Sequence, residues 1–378
     1  MEKYIIALKE MGVKDADILQ IIQNCSREDL ISAFDGEKES VLSNMALASC
    51  GDFFNNEVSL KATLKKATFI LEKNRDNGIK TTIYGFETYP KQLINIPNPP
   101  VVLYYKGAEL ILNCKKAIAC VGTRKPTKFS LNAINYLIPQ WIQEGVSIIS
   151  GLALGVDRLS HIACLANRGT TVAVLAHGLD SIYPKQNRQL AENILANGGT
   201  LVSEYPVEIE AANYRFINRN RIIVGLAQST VVFECSENSG TMHSVDFAQK
   251  QHKPIFCPYP RKTEENNVKG IEYLLNREIA KVIPNGISYQ IPLKSMGVVP
   301  QQESMSVSEI LNCYLKSLIC NIEMEMPGNT LSLLEKEFKI PHNISKRNKN
   351  VEEVINELIL GKYITIGECI SYLSSFVL

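Results

Sequence analysis

The chain has 378 residues, 45% hydrophobic and 21% charged, which suits a soluble globular protein of two or three domains. A net charge of +1 gives no global attraction to nucleic acid or membrane, so any anion site must be a local patch. No apolar run is long enough to span a membrane, "MEKYIIALKE" lacks a secretory pattern, and the 10 cysteines are scattered without CxxC or zinc spacing. Such thiols fit a cytoplasmic protein with no metal site.

Residues 1–75 read as a helical N-terminal domain. "YIIALKEMG" and "DADILQIIQNCS" carry apolar residues at helical spacing, with Ser26 or Asp15 available as caps. The stretch "TTIYGFETYPKQLINIPNPPVVLYYKG" reads as a loop-bearing connection into one strand, "VVLYY". The central region, residues 76–288, then alternates strand and helix. "AIACV", "VSIIS", "TVAVL", "TLVSE", "STVVFEC" and "PIFCP" are apolar strands. Between the first two, Ile134, Leu137, Ile138 and Trp141 form one helical stripe that Gly145 closes. Apolar strands separated by helices predict a parallel sheet covered on both faces. The fold class is α/β: an extended Rossmann-like, doubly wound, mostly parallel sheet. Residues 289–305 read as a linker. Residues 306–378 suit a small winged-helix-like C-terminal domain, with the basic run Ser345 to Lys349 on a surface loop.

Ligands of such sheets bind outside the carboxyl ends of the strands. After "AIACV" come Gly122, Thr123, Arg124 and Lys125, a tight turn whose following helix start makes a phosphate seat. It is not GxGxxG and gives no support for a nicotinamide cofactor. After "VSIIS", Gly151 and Gly155 leave backbone bare beside a ligand or a neighbouring strand. Asp157 and His161 follow at helical spacing and read as loop-fixing groups rather than an acid–base pair, since no nucleophile accompanies them. After "TVAVL", Gly178, Tyr183, Lys185 and Asn187 lie in a polar loop where Tyr183 can stack a base and Lys185 can neutralise a phosphate. Next comes "YRFINRNRII", with Arg215, Arg219 and Arg221 running straight into an apolar segment. Ser239, Gly240 and Thr241 open a further helix as a second amide-rich anion seat. These strand ends converge on anion binding. They offer no catalytic residue and imply no cofactor.

"GTRKP", "SGLALGVDRLSH", "LAHGLDSIYPKQN", "SEYP" and "NYRFINRNRIIVGLAQSTVVFE" resemble, in order and spacing, the bacterial DNA-processing protein family, DprA or Smf. The similarity runs from about Tyr84 to Pro260. It implies a non-enzymatic protein that binds single-stranded DNA, forms a homodimer, displaces single-strand-binding protein and loads RecA recombinase in natural transformation. It places the DNA contacts at Arg124, Lys185, Arg219 and Arg221. The chain departs from the family at Met242 and His243, at Tyr259 and Pro260, and at Ala176. From the residues alone, the arginines either face phosphates or clamp the chain internally against Glu204, Glu234 or sheet carbonyls. The expectation is a division, with one structural and at least one on DNA. The alternative function is a nucleotide-binding or nucleoside-phosphate-hydrolysing Rossmann-like enzyme, or a nucleotide sensor, with Asp246 in "NSGTMHSVD" as its acid.

Overall fold

The computed structural model describes residues 1–109, 114–259, 268–284, 288–300 and 307–325. The N-terminal part holds α1 (Glu2–Glu10), α2 (Asp15–Asn24), α3 (Arg27–Phe34), α4 (Lys38–Ser43), α5 (Met45–Ala48) and α6 (Glu57–Asp76). Ser26 caps α3 through a reciprocal box with Asp29, satisfying two first-turn donors at once. Asp15 is instead the first residue of α2, placed where its charge favours the helix dipole.

The sheet contains β1 (Lys80–Ile83), β2 (Val102–Gly107), β3 (Ala117–Val121), β4 (Ser147–Ser150), β5 (Thr171–Leu175), β6 (Thr200–Ser203), β7 (Ser229–Val232), β8 (Ile255–Pro258) and β9 (Lys281–Ile283). Their spatial order is β1-β2-β6-β5-β4-β3-β7-β8-β9. β1 and β2 are antiparallel to their neighbours, and the pairs from β6 through β9 are parallel. The doubly wound α/β architecture expected from the sequence is therefore present. β1 is an addition: "KTTI" is short and mostly polar, so its pairing with β2 comes from tertiary context. From β3 the chain winds one way through β4, β5 and β6. It then returns to the other side of β3 at β7, so the strand order reverses between β3 and β7. That reversal opens a crevice at the strand ends.

Helices cover both faces. α7 (Lys128–Gln143), α8 (Val156–Ala166) and α9 (Arg188–Ala196) lie on one, and α10 (Asn213–Leu226), α11 (Thr241–Lys250) and α12 (Lys269–Asn276) on the other. Trp141 of the α7 stripe is fully buried, and Gly145 ends the helix with φ +74°. The N-terminal helices do not form a core of their own. Ile5, Leu8 and Ile70 belong to the same buried cluster as Ile83, Val102 and Leu201 of the sheet.

The stretch read as a linker contains α13 (Gln290–Ser295), whose Leu293 is fully buried in the cluster that includes Trp141 and Phe233. Trp141 Nε1 donates to the Tyr289 carbonyl at 2.9 Å. The first half of that segment is thus packed rather than free, because one apolar side chain and one indole partner suffice to hold it. α14 (Val307–Glu325) follows and lies on α7 and α8. The winged-helix reading beyond Glu325, with its basic run, falls outside the described residues.

Candidate nucleic-acid interface

At the β3/β7 reversal lies a cavity of about 410 Å³, lined among others by Gly122, Arg124, Asp157, Phe216, Arg219 and Gly240. Four separate strand-end or helix segments meet there, which is how distant stretches of sequence come to share one site.

The arginines of α10 divide by helical position. Arg219 is only 3% exposed. Its Nη1 donates to the Gly151 carbonyl at 2.6 Å and to the Val174 carbonyl, joining α10 to the ends of β4 and β5. Burial pushes its guanidinium down to about 10, with the Asp157 carboxylate opposing the shift, so it stays charged at neutral pH. Arg221 is also buried, and its Nη2 donates to Glu204 Oε1 at 2.5 Å. Both guanidiniums are thus committed inside the protein, whereas the resemblance implies DNA contacts at both and the residues alone suggest a division. A guanidinium already committed to carbonyls or a carboxylate inside the core is a clamp, because unpaired burial of its charge costs several kcal/mol. Arg215 is half-buried. It lies over the rings of Tyr205 and Tyr214 at 5.4 and 5.2 Å, and donates to the Glu210 carbonyl.

The glycines and polar loop residues serve mainly to bring backbones together. A Cβ on Gly151 would meet the Arg219 guanidinium at 2.3 Å, so this glycine makes the space for the clamp. Gly155 has φ +78°, and a Cβ there would meet the Thr123 carbonyl at 2.4 Å. Gly122 and Gly178 are similarly crowded, by Val156 and by Asp180 with Pro206. Thr123 Oγ1 accepts from the Lys125 amide at 3.2 Å and shapes the turn. Asn187 is fully buried, and its Nδ2 donates to the Leu152 carbonyl at 2.8 Å. Asp157 accepts from the Gly151 and Ala153 amides at 3.2 and 3.3 Å. Desolvation raises its carboxyl, with Arg219 and those amides opposing. His161 turns away and pairs with Thr171 Oγ1 at 2.7 Å, so the two residues do not bond each other.

The anion seat expected at the start of α7 is already taken. Glu234 Oε2 accepts from the Thr127 amide at 2.9 Å, from Thr127 Oγ1 at 3.0 Å and from Ser130 Oγ. With Glu234 only 2% exposed, an internal carboxylate occupies the place a phosphate would take. No sequence signal marks this, since Glu234 and Thr127 meet only across the β3/β7 boundary. The start of α11 differs. Ser239 and Thr241 line the cavity, and a Cβ on Gly240 would meet nothing within 4 Å, so the backbone there is open.

Side chains free to meet a ligand lie around the rim. Arg124, Lys125 and Lys185 are exposed, as are Tyr183 at 54% and Tyr214 at 58%. Arg124 lies 5.6 Å over the ring of Phe216, and Phe216 lies 5.7 Å from Tyr183. The result is a row of cation, ring and ring, running from the β3 turn across α10 to the Lys185 loop. Phe216 was not singled out from the sequence. Its signal was there, in helical spacing: it lies three residues before Arg219 and so on the same helix face. Asp246 is exposed on α11 and does not line the cavity. Among the described residues no cluster of acids, histidines and cysteines could hold a metal, and no helix is long and apolar enough to cross a membrane.

A family model described as DNA recombination-mediator protein A matches residues 80–290. The chain is similar to the DNA processing protein DprA of Bacillus subtilis, 37% identical over 188 residues that make up 50% of this chain and 63% of that protein. It is similar to Protein Smf of Synechocystis sp., 36% identical over 229 residues that cover 59% of this chain and 55% of the other. These matches thus span less than two thirds of either relative. Among solved structures, the X-ray structure of DNA processing protein A from Streptococcus pneumoniae aligns with a TM-score of 0.60 and 27% identity, covering 75% of this chain and 95% of that one.

Proposed function

This chain belongs to the DNA recombination-mediator protein A family, and from that premise we propose that it binds single-stranded DNA along the rim of the β3/β7 crevice and acts as a recombination mediator. In this reading it works in the cytoplasm as a homodimer without cofactor. It protects incoming DNA, displaces single-strand-binding protein and loads RecA during natural transformation, with no chemistry of its own. The observation that carries the DNA-binding reading is the row of exposed Arg124, half-buried Phe216 and exposed Tyr183, with Lys185 nearby. Aromatic faces accept any base, and exposed cations neutralise phosphates, which is the combination a sequence-tolerant single-strand binder needs. Lys125 and the open start of α11 at Ser239, Gly240 and Thr241 add positive potential beside the row.

Fluorescence anisotropy with labelled oligonucleotides tests this. Single strands bind more tightly than duplex of equal length, and binding weakens as salt rises. Arg124→Ala and Lys185→Ala each lower the log–log salt slope by about 0.7, the value for one lost single-strand phosphate contact, while melting as the parent does. Variants that bind and melt like the parent would remove those residues from the interface. Strand exchange by RecA on oligonucleotides coated with single-strand-binding protein tests the mediator step, which predicts stimulation by this protein. Light scattering that gives only the monomer mass at micromolar concentration would overturn the homodimer. The enzymatic alternative predicts turnover of free nucleotides, and the placement of Asp246 outside the cavity lining weighs against it.

A further inference from the structure

Arg158, in the first turn of α8, is only 5% exposed, and its guanidinium joins three parts of the chain. Its Nη2 donates to the Met324 carbonyl at 2.9 Å, in the last turn of α14. Its Nη1 donates to Asn187 Oδ1 and, at 3.3 Å, to the Gln186 carbonyl. Asn187 in turn donates to the carbonyls of Leu152 at 2.8 Å and Ala153 at 3.3 Å. One end of this relay is the short helical turn Lys185–Asn187, which carries the exposed Lys185. The other end is the turn after β4, whose Ala153 lines the cavity. That turn needs holding. Leu152 is fully buried with φ +55°, a conformation that costs a branched side chain energy and persists only where its surroundings impose it.

α14 supplies what the guanidinium requires at the far side. The carbonyls of a helix's last turn lack intrahelical donors and attract cations. The helix is seated by Leu315 and Ile319, both fully buried, by Tyr314 Oη donating to Asn132 Oδ1 at 2.7 Å, and by Asn167 Nδ2 donating to Ser317 Oγ at 2.9 Å. If α14 left, Arg158 would lose the Met324 acceptor while its charge stayed beneath the surface, a position that favours rearrangement of the side chain.

We infer that Arg158 is a positioning residue through which the docking of α14 sets the shape of the Lys185 loop and of the Leu152–Ala153 turn. The consequence for DNA rests on the function proposed above: α14, which does not line the cavity, tunes the grip of Lys185 on a strand.

Hydrogen–deuterium exchange on the full chain tests the joint. Leu315→Asp places a carboxylate in the α14 seat, and faster exchange across residues 307–325 reports its release. The expected result is exchange at least about tenfold faster at residues 151–153 and 183–187, with β8 unchanged. Arg158→Gln gives the same two local changes with α14 still in place, Arg158→Lys gives a smaller change, and the double variant adds nothing. Release of α14 with both segments exchanging as in the parent overturns the inference, as does parental exchange there in Arg158→Gln. Oligonucleotide titrations form a separate arm, in which Leu315→Asp loses the same salt slope as Lys185→Ala. If exchange responds and binding does not, the joint stands and its coupling to DNA binding falls, while Lys185→Ala alone decides whether Lys185 meets DNA.

Discussion

Arg219 and Arg124 are both arginines beside the same cavity, yet they have opposite duties. Arg219 is buried and committed to two strand-end carbonyls, whereas Arg124 is exposed above a ring. Arg219→Ala is therefore expected to cost about 3 kcal/mol or more of stability, visible in denaturant melts, with weaker DNA binding only as a result. A variant that melts normally would show the clamp to be dispensable. His161 makes a pH prediction. Burial pushes its imidazole down to about 3 from an ordinary 6.5, and burial lowers His177 as well. The unfolded chain therefore takes up protons between these values while the fold does not. The stability these residues contribute is fully present above about pH 6.5 and is lost as pH falls toward 3, by up to a few kcal/mol. Melting temperatures between pH 7 and pH 4 should fall, and His161→Gln should flatten that slope. An unchanged slope in the variant would exclude His161 as its source.

At the level of elements, α7 depends on a carboxylate borrowed from the segment that follows β7. Glu234→Ala removes the acceptor for Thr127 and Ser130, so it should cost about 1–2 kcal/mol, the usual loss for a helix cap. Exchange of the first-turn amides of α7 should rise, and their continued protection would show that water replaces the cap without penalty. The same contact explains what a linear reading could and could not find. Strands such as "TVAVL" were legible as continuous apolar runs and the α7 stripe by its helical period, both imposed by burial. The glycine turns after β3 and β4 were legible as turns. What those turns hold was not, since the partner of Gly151 is Arg219 and the partner of Thr127 is Glu234, each a long way along the chain. The arginine run had the composition of a phosphate patch. Only the rotation of α10 decides that Arg219 and Arg221 turn inward. β1 and α13 escaped for a related reason: their few residues carry too little pattern to stand out from a loop.

The molecule as a whole joins its N-terminal helices to the sheet through one buried cluster that runs from Ile5 to Leu201. Residues 1–76 are thus expected to unfold together with the sheet edge. Far-ultraviolet circular dichroism and the fluorescence of Trp141, which is buried on the same face of the sheet, should give coincident transitions up to that point. Two separated transitions would show that the helices form an independent unit. α10 has a further consequence at this scale. Arg219 pins it to β4 and β5, and it carries the exposed Tyr214 and the half-buried Arg215 and Phe216. Under the function proposed above, the surface offered to a strand is anchored before the strand arrives. Little backbone freedom remains to be lost on association, so the ordering entropy of the complex falls almost wholly on the nucleic acid. A flexible polymer laid on a stiff track can shift by one nucleotide and meet the same surface again, which favours movement along the strand over residence at a single place.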